Sequence, residues 1–100
     1  MAIFSGNVLL ANGDIIPAIE YMIRDMEMNG TRADFVAALE EMRRGEVRSP
    51  AAMRMYDAAR QNRFPTLMEV ERRGSRGVRM HAIAMLDEIL AAWPEEEVAP

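Results

Sequence analysis

One histidine, no cysteine and no lysine leave this 100-residue chain few side chains able to act as nucleophile, base or metal ligand. Without cysteine there is no disulfide, no thiolate nucleophile and no cysteine-based zinc or iron–sulfur site. His81 by itself builds neither a multi-histidine metal cluster nor a triad. A general base also needs an orienting partner, and four residues to either side of His81 stand Gly77 and Met85. It therefore reads as a surface or boundary histidine. The absence of lysine removes Schiff-base catalysis and the lysine of a phosphate-binding loop. Two carboxylate pairs remain, Glu40-Glu41 and Asp87-Glu88, but neighbours on a helix point about 100° apart and cannot flank one scissile bond. They read as solvated faces. Gly74-Ser75-Arg76-Gly77 lacks the spacing of either glycine-rich phosphate fingerprint and reads as a helix break. The expectation is a protein that is not an enzyme, with no cofactor and no metal.

Charge is the second source of chemistry, and it is segregated along the chain. All the basic residues are arginines. Residues 1–42 are acidic, 43–81 hold ten arginines against four acids, and 82–100 are acidic again, for a net charge of −4. An arginine-rich middle suggests phosphate contacts, with Arg60, Arg63, Arg72, Arg73 and Arg76 as the candidates, in the manner of a helix-turn-helix. Against it stand the interspersed acids, the negative total and the lack of an Asn/Gln/Arg cluster to read base edges. A helical DNA-binding regulator or phage packaging protein is the alternative reading.

These residues must be carried by helices. Half the residues are apolar and 28% charged, which fits one folded domain, and no run reaches the 18 or more uncharged apolar residues of a membrane span. No basic leader with a signal-type apolar stretch opens the chain, so a cytoplasmic compartment is expected. Met1 to Gly13 holds two short apolar runs broken by turn residues, which fit either a small hairpin or an extended arm. Asp14 as N-cap, Pro17 in the first turn and Gly30 as the terminating glycine predict a helix from Ile15 to about Asn29, with Ile15, Ile16, Ile19, Met22, Ile23 and Met26 facing the core. Thr31 and Asp34 form a capping box for a second helix ending at Gly45. Ser49-Pro50 opens a third, through about Gln61, closed by Phe64-Pro65. Thr66 and Glu69 cap a short fourth helix ended by Gly74. A fifth, from Ser75 or Arg76 to Pro94, has an apolar face from Val78 to Trp93 broad enough to be central. The fold class is all-α, a compact bundle of about five helices with room for a short N-terminal hairpin. Residues 1–94 form one domain and 95–100 a frayed acidic tail.

On the first helix, Tyr21, Arg24 and Met28 project away from the isoleucine stripe, flanked by Glu20, Asp25 and Glu27. Tyrosine, arginine and methionine are enriched in protein interfaces, so these six are the candidate partner-binding residues. With its small size, lack of cysteine and lysine, and the acidic first helix D-I-I-P-A-I-E-Y-M-I-R-D-M-E-M-N-G, the chain resembles the small helical anti-CRISPR proteins of phages and mobile elements. The resemblance implies an inhibitor that binds protein subunits, the Cas subunits of a type I CRISPR surveillance complex of the I-F kind, and occludes their DNA-binding surface. Direct nucleic-acid binding and membrane association are not expected on that reading.

Overall fold

The computed structural model describes residues 3–63 and 67–95, with residues 63 and 67–74 described by backbone alone. The order is a hairpin, β1 (Asn7–Leu9) and β2 (Ile15–Pro17), followed by α1 (Ala18–Glu27), α2 (Arg32–Arg43), α3 (Pro50–Arg63) and α4 (Leu67–Ala92). The molecule is mostly helical, as expected, but with four helices among the described residues rather than about five. None of them is long and apolar enough to cross a membrane.

The hairpin pairs different segments from those the apolar runs suggested. Val8 faces Ile16 and Leu9 faces Ile15 in an antiparallel register. The turn between them is closed by the Leu10 N–H donating to the Asp14 carbonyl at 2.8 Å and the Gly13 N–H to the Leu10 carbonyl at 3.0 Å. Gly13 takes φ +93°, a backbone conformation open to glycine at little cost. Asp14 is thus a turn residue, exchanging hydrogen bonds with Asn12, and not the helix cap. The first helix starts three residues later than expected because the residue before a proline is pushed out of the helical region; Ile16 therefore stays extended and Pro17 becomes the N-cap. Ile15, expected in the core stripe, is 68% exposed, whereas Ile16 is buried. Adjacent strand residues face opposite sides, and a helical reading had put both isoleucines on one.

Helix α1 ends at Glu27, capped at Met28. Gly30 is not the left-handed terminator: a Cβ there would lie 3.1 Å from Asp34 Oδ2 and 3.3 Å from Phe35 Cε2, so its smallness permits a close approach of chain to α2. Helix α2 opens on the expected capping box. The Asp34 N–H donates to Thr31 Oγ1 at 3.2 Å and the Thr31 N–H to Asp34 Oδ2 at 2.9 Å. It closes at Gly45, with φ +89°, whose N–H donates to the Met42 carbonyl. Ser49 caps α3 through Oγ, which accepts the Ala52 N–H at 3.1 Å.

The expected break at Gly74 to Gly77 is absent: α4 runs continuously through it. Each glycine costs only about 1 kcal/mol in a helix interior, less than the hydrogen bonds and packing that continuity preserves. Phe64-Pro65, the Thr66 cap with its Glu69 box and most of the 95–100 tail lie outside the described residues and side chains.

Helices α2, α3 and α4 form the core. Phe35, Met42, Met55, Val78, Leu86 and Ile89 have no exposed surface, and Ala38, Ala52, Ala59 and Ala82 let the helices approach closely between them. Trp93, just past α4, stacks at a tilt on Phe35 with ring centroids 5.9 Å apart. Arg32 reaches over that corner, donating from Nε to the Trp93 carbonyl at 2.9 Å and from a terminal nitrogen to Leu90 at 3.2 Å, which satisfies carbonyls that a helix end leaves unpaired.

Candidate functional site

Helix α1 lies on this core along one side. Met26 is buried, Ile19, Met22 and Ile23 are half-buried, and opposite them Tyr21, Arg24 and Met28 face outward. Met28 is 86% exposed and Tyr21 43%. On one helical line they present an apolar surface, almost fully open at Met28 and a little under half open at Tyr21. Arg24 is held between them by Glu20, with the guanidinium 3.1 Å from Oε1 one turn earlier. That spacing orients the guanidinium along the helix and partly neutralises it.

The acidic residues beside this line do not form one rim. Glu20 is committed to Arg24, and Glu27 is exposed at the helix end. Asp25 turns the other way, toward α3, where Oδ2 meets the Arg54 guanidinium at 2.7 Å. The structure therefore brings five of the six candidates together on the outward side. Asp25 becomes a fastening between α1 and α3. A groove of about 390 Å³ runs between α1 and the end of α4, lined by Ile19, Ile23 and Pro94 on its apolar side and by Glu20, Arg24 and Glu27 on its charged side.

The arginines of the alternative site are differently placed. Arg60 is half-buried and doubly bonded to Asp57 on its own helix, at 2.9 and 3.3 Å. Arg76 is exposed on α4. The side chains of Arg63, Arg72 and Arg73 lie outside the described residues. Elsewhere in the basic stretch Arg43 pairs with Asp87 at 2.7 Å and Arg54 with Asp25, so two of its ten arginines meet carboxylates of neighbouring helices. His81 Nε2 sits 2.9 Å from Asn62 Oδ1, joining α4 to α3. No group of three or more potential metal-ligating side chains occurs among the described residues.

Sequence reasoning missed three features. Leu9 and Ile15 are cross-strand partners on the outer face of the hairpin, 70% and 68% exposed; the alternation from Val8 to Leu9 was the available signal. Glu41 ties off the α2–α3 connection. Its oxygens accept the Arg48 N–H at 2.8 Å and the N–H and hydroxyl of Ser49, and its carboxyl is held below the ordinary range, mainly by the Arg48 N–H, against an opposing effect of burial. Glu88 accepts the N–H groups of Ile3 and Phe4. Neither carboxylate could be assigned its partner from spacing. The chain matches no protein-family model, no curated protein and no solved structure.

Proposed function

We propose that the chain is a non-enzymatic inhibitor that binds protein subunits of a type I CRISPR surveillance complex through the outward side of α1 and keeps DNA from its channel. The observation that carries this reading is the exposure of Tyr21 and Met28 on a helix whose opposite side is anchored in the core. Anchoring pre-organises the line, so binding does not have to order it, and aromatic anchors of that kind dominate interface energies. Glu20 and Glu27 beside it complement a basic surface built for phosphates, and overlap with such a surface is enough to exclude DNA. The pairing of Arg43, Arg54 and Arg60 with carboxylates weighs against the DNA-binding alternative.

The test is a competition. A purified type I-F surveillance complex is offered a labelled target duplex with and without the chain. The wild type is expected to abolish duplex binding at saturation and Tyr21→Ala/Met28→Ala to lose most of that effect. If the chain instead binds the duplex itself, with an affinity that falls steeply with salt, the alternative is correct.

A further inference from the structure

Glu88 is a half-buried carboxylate on α4 whose partners come from the far end of the chain. Oε2 accepts the Ile3 N–H at 2.7 Å and Oε1 accepts the Phe4 N–H at 2.8 Å. Both oxygens thus hold consecutive amides of one bent segment, and charge-assisted bonds of this length are strong for their kind. The side chains of Ile3 and Phe4 are half-buried against the core. Beyond them the next backbone tie is the Gly6 carbonyl, which accepts the Ala18 N–H at 3.0 Å and fixes the pivot to the start of α1. Ser5 and Gly6 are exposed, Gly6 has φ +81°, and a Cβ there would meet nothing within 4 Å. The hairpin that follows packs on α1, with Ile16 buried, and so has its own attachment.

From this arrangement we propose that Ile3-Phe4 is a strap latched to α4 by Glu88, opening about Gly6 while the hairpin and the helices stay in place. Closed, the strap covers apolar surface of the core. Open, it leaves a carboxylate stripped of two donors beside that uncovered surface. Nothing else among the hydrogen bonds of the described residues ties the strap's backbone to a helix. A segment held by one side chain and a small apolar contact opens locally, well before the core unfolds.

Native-state hydrogen exchange on the full chain tests this, followed at the Ile3 and Phe4 amides and, as reference, at those of Leu86 and Ile89. In Glu88→Gln, and more so in Glu88→Ala, exchange at Ile3 and Phe4 should rise at least tenfold while the reference amides change less than twofold. Chymotryptic cleavage after Phe4, read by mass, should accelerate in parallel. Unchanged exchange at Ile3 and Phe4 in both variants would show that Glu88 is no latch. A common rise at all four amides would show that the strap belongs to the cooperative core and does not open by itself.

Discussion

The core of α2, α3 and α4 and the N-terminal portion that leans on it, residues 3–27, are held by different means. The first buries seven large apolar side chains completely among the described residues, Met85 with the six named above, and brings its helices together over alanines. The second buries Ile16 and Met26 and leaves Ile19, Met22 and Ile23 half-covered; it relies on point attachments, Glu88 to the strap and Asp25 to Arg54. Area-based packing is insensitive to any single polar group, whereas attachment by a few bonds can be undone residue by residue. A portion held that way is free to present an outward face, because little of its surface is committed inward.

The largest effects should therefore come from the core. Leu86→Ala and Ile89→Ala should each destabilise by about 2 to 5 kcal/mol in urea unfolding, from lost transfer energy and the cavity left behind. Costs under half a kcal/mol in both would mean that α4 is not the centre of the bundle. Met26→Ala sharpens the contrast. Its side chain is as buried as theirs, but the half-covered helix around it can close in, which places its cost near the low end, about 2 kcal/mol. If it matches Leu86→Ala, α1 is as much a part of the core as α4 and the distinction between the two regions fails.

Local devices come next in size. Thr31→Ala removes one half of the capping box at the start of α2 and should cost about 0.5 to 2 kcal/mol, read as a shift in the urea midpoint with an unchanged slope. Glu41 supplies a pH-dependent counterpart. Its carboxyl is lowered from the ordinary 4.5, so folding is favoured by its charged form; that contribution is present above pH 4.5 and lost as the pH falls through the lowered value. The gap in Tm between the wild type and Glu41→Gln should accordingly narrow on acidification below 4.5. A gap independent of pH across that range would mean that Glu41 is held by shape and not by charge.

The features that could be read in advance are those whose partners are close in sequence. Thr31 with Asp34, the glycine at 45 and Ser49 before Pro50 are local chemistry, and each sits where its spacing placed it. The outward line of α1 was legible too, since phase on a helix needs no knowledge of what packs against it. Errors arose where two local rules competed. The isoleucines at 15 and 16 satisfy a helical stripe, yet the proline at 17 forces the extended alternative, and the pair divides between core and solvent. Gly74 and Gly77 are breakers by composition, and continuity of α4 outweighs them. Asp25 was assigned to the binding rim because its bond to Arg54 crosses from one helix to another. Glu88 and the strap it holds, more than eighty residues away, leave no trace in any window of sequence.

The smallest expected effect on stability carries the most weight for function. Met28→Ala removes a side chain that is 86% exposed and Tyr21→Ala one that keeps 43% of its surface in solvent, so each should change the unfolding free energy little, Met28→Ala by no more than about 0.5 kcal/mol and Tyr21→Ala by about 1 kcal/mol or less. On the proposed function, each should weaken inhibition of the surveillance complex in competition by more than about 1 kcal/mol, since anchors that leave solvent on binding contribute chiefly to binding. Glu27→Arg should act mainly on the association rate and lose its effect at high salt, because an exposed carboxylate steers encounter across screened solvent. Arg24→Ala separates binding from local order: it also strips Glu20 of its partner, and exposed pairs at that spacing stabilise a helix by only about 0.3 to 0.5 kcal/mol. A loss of inhibition well above that figure assigns Arg24 to the partner. If Tyr21→Ala lowers stability as much as it lowers inhibition, the outward face of α1 is structural, and the contrast between a core that only folds and a flank that presents a surface does not hold.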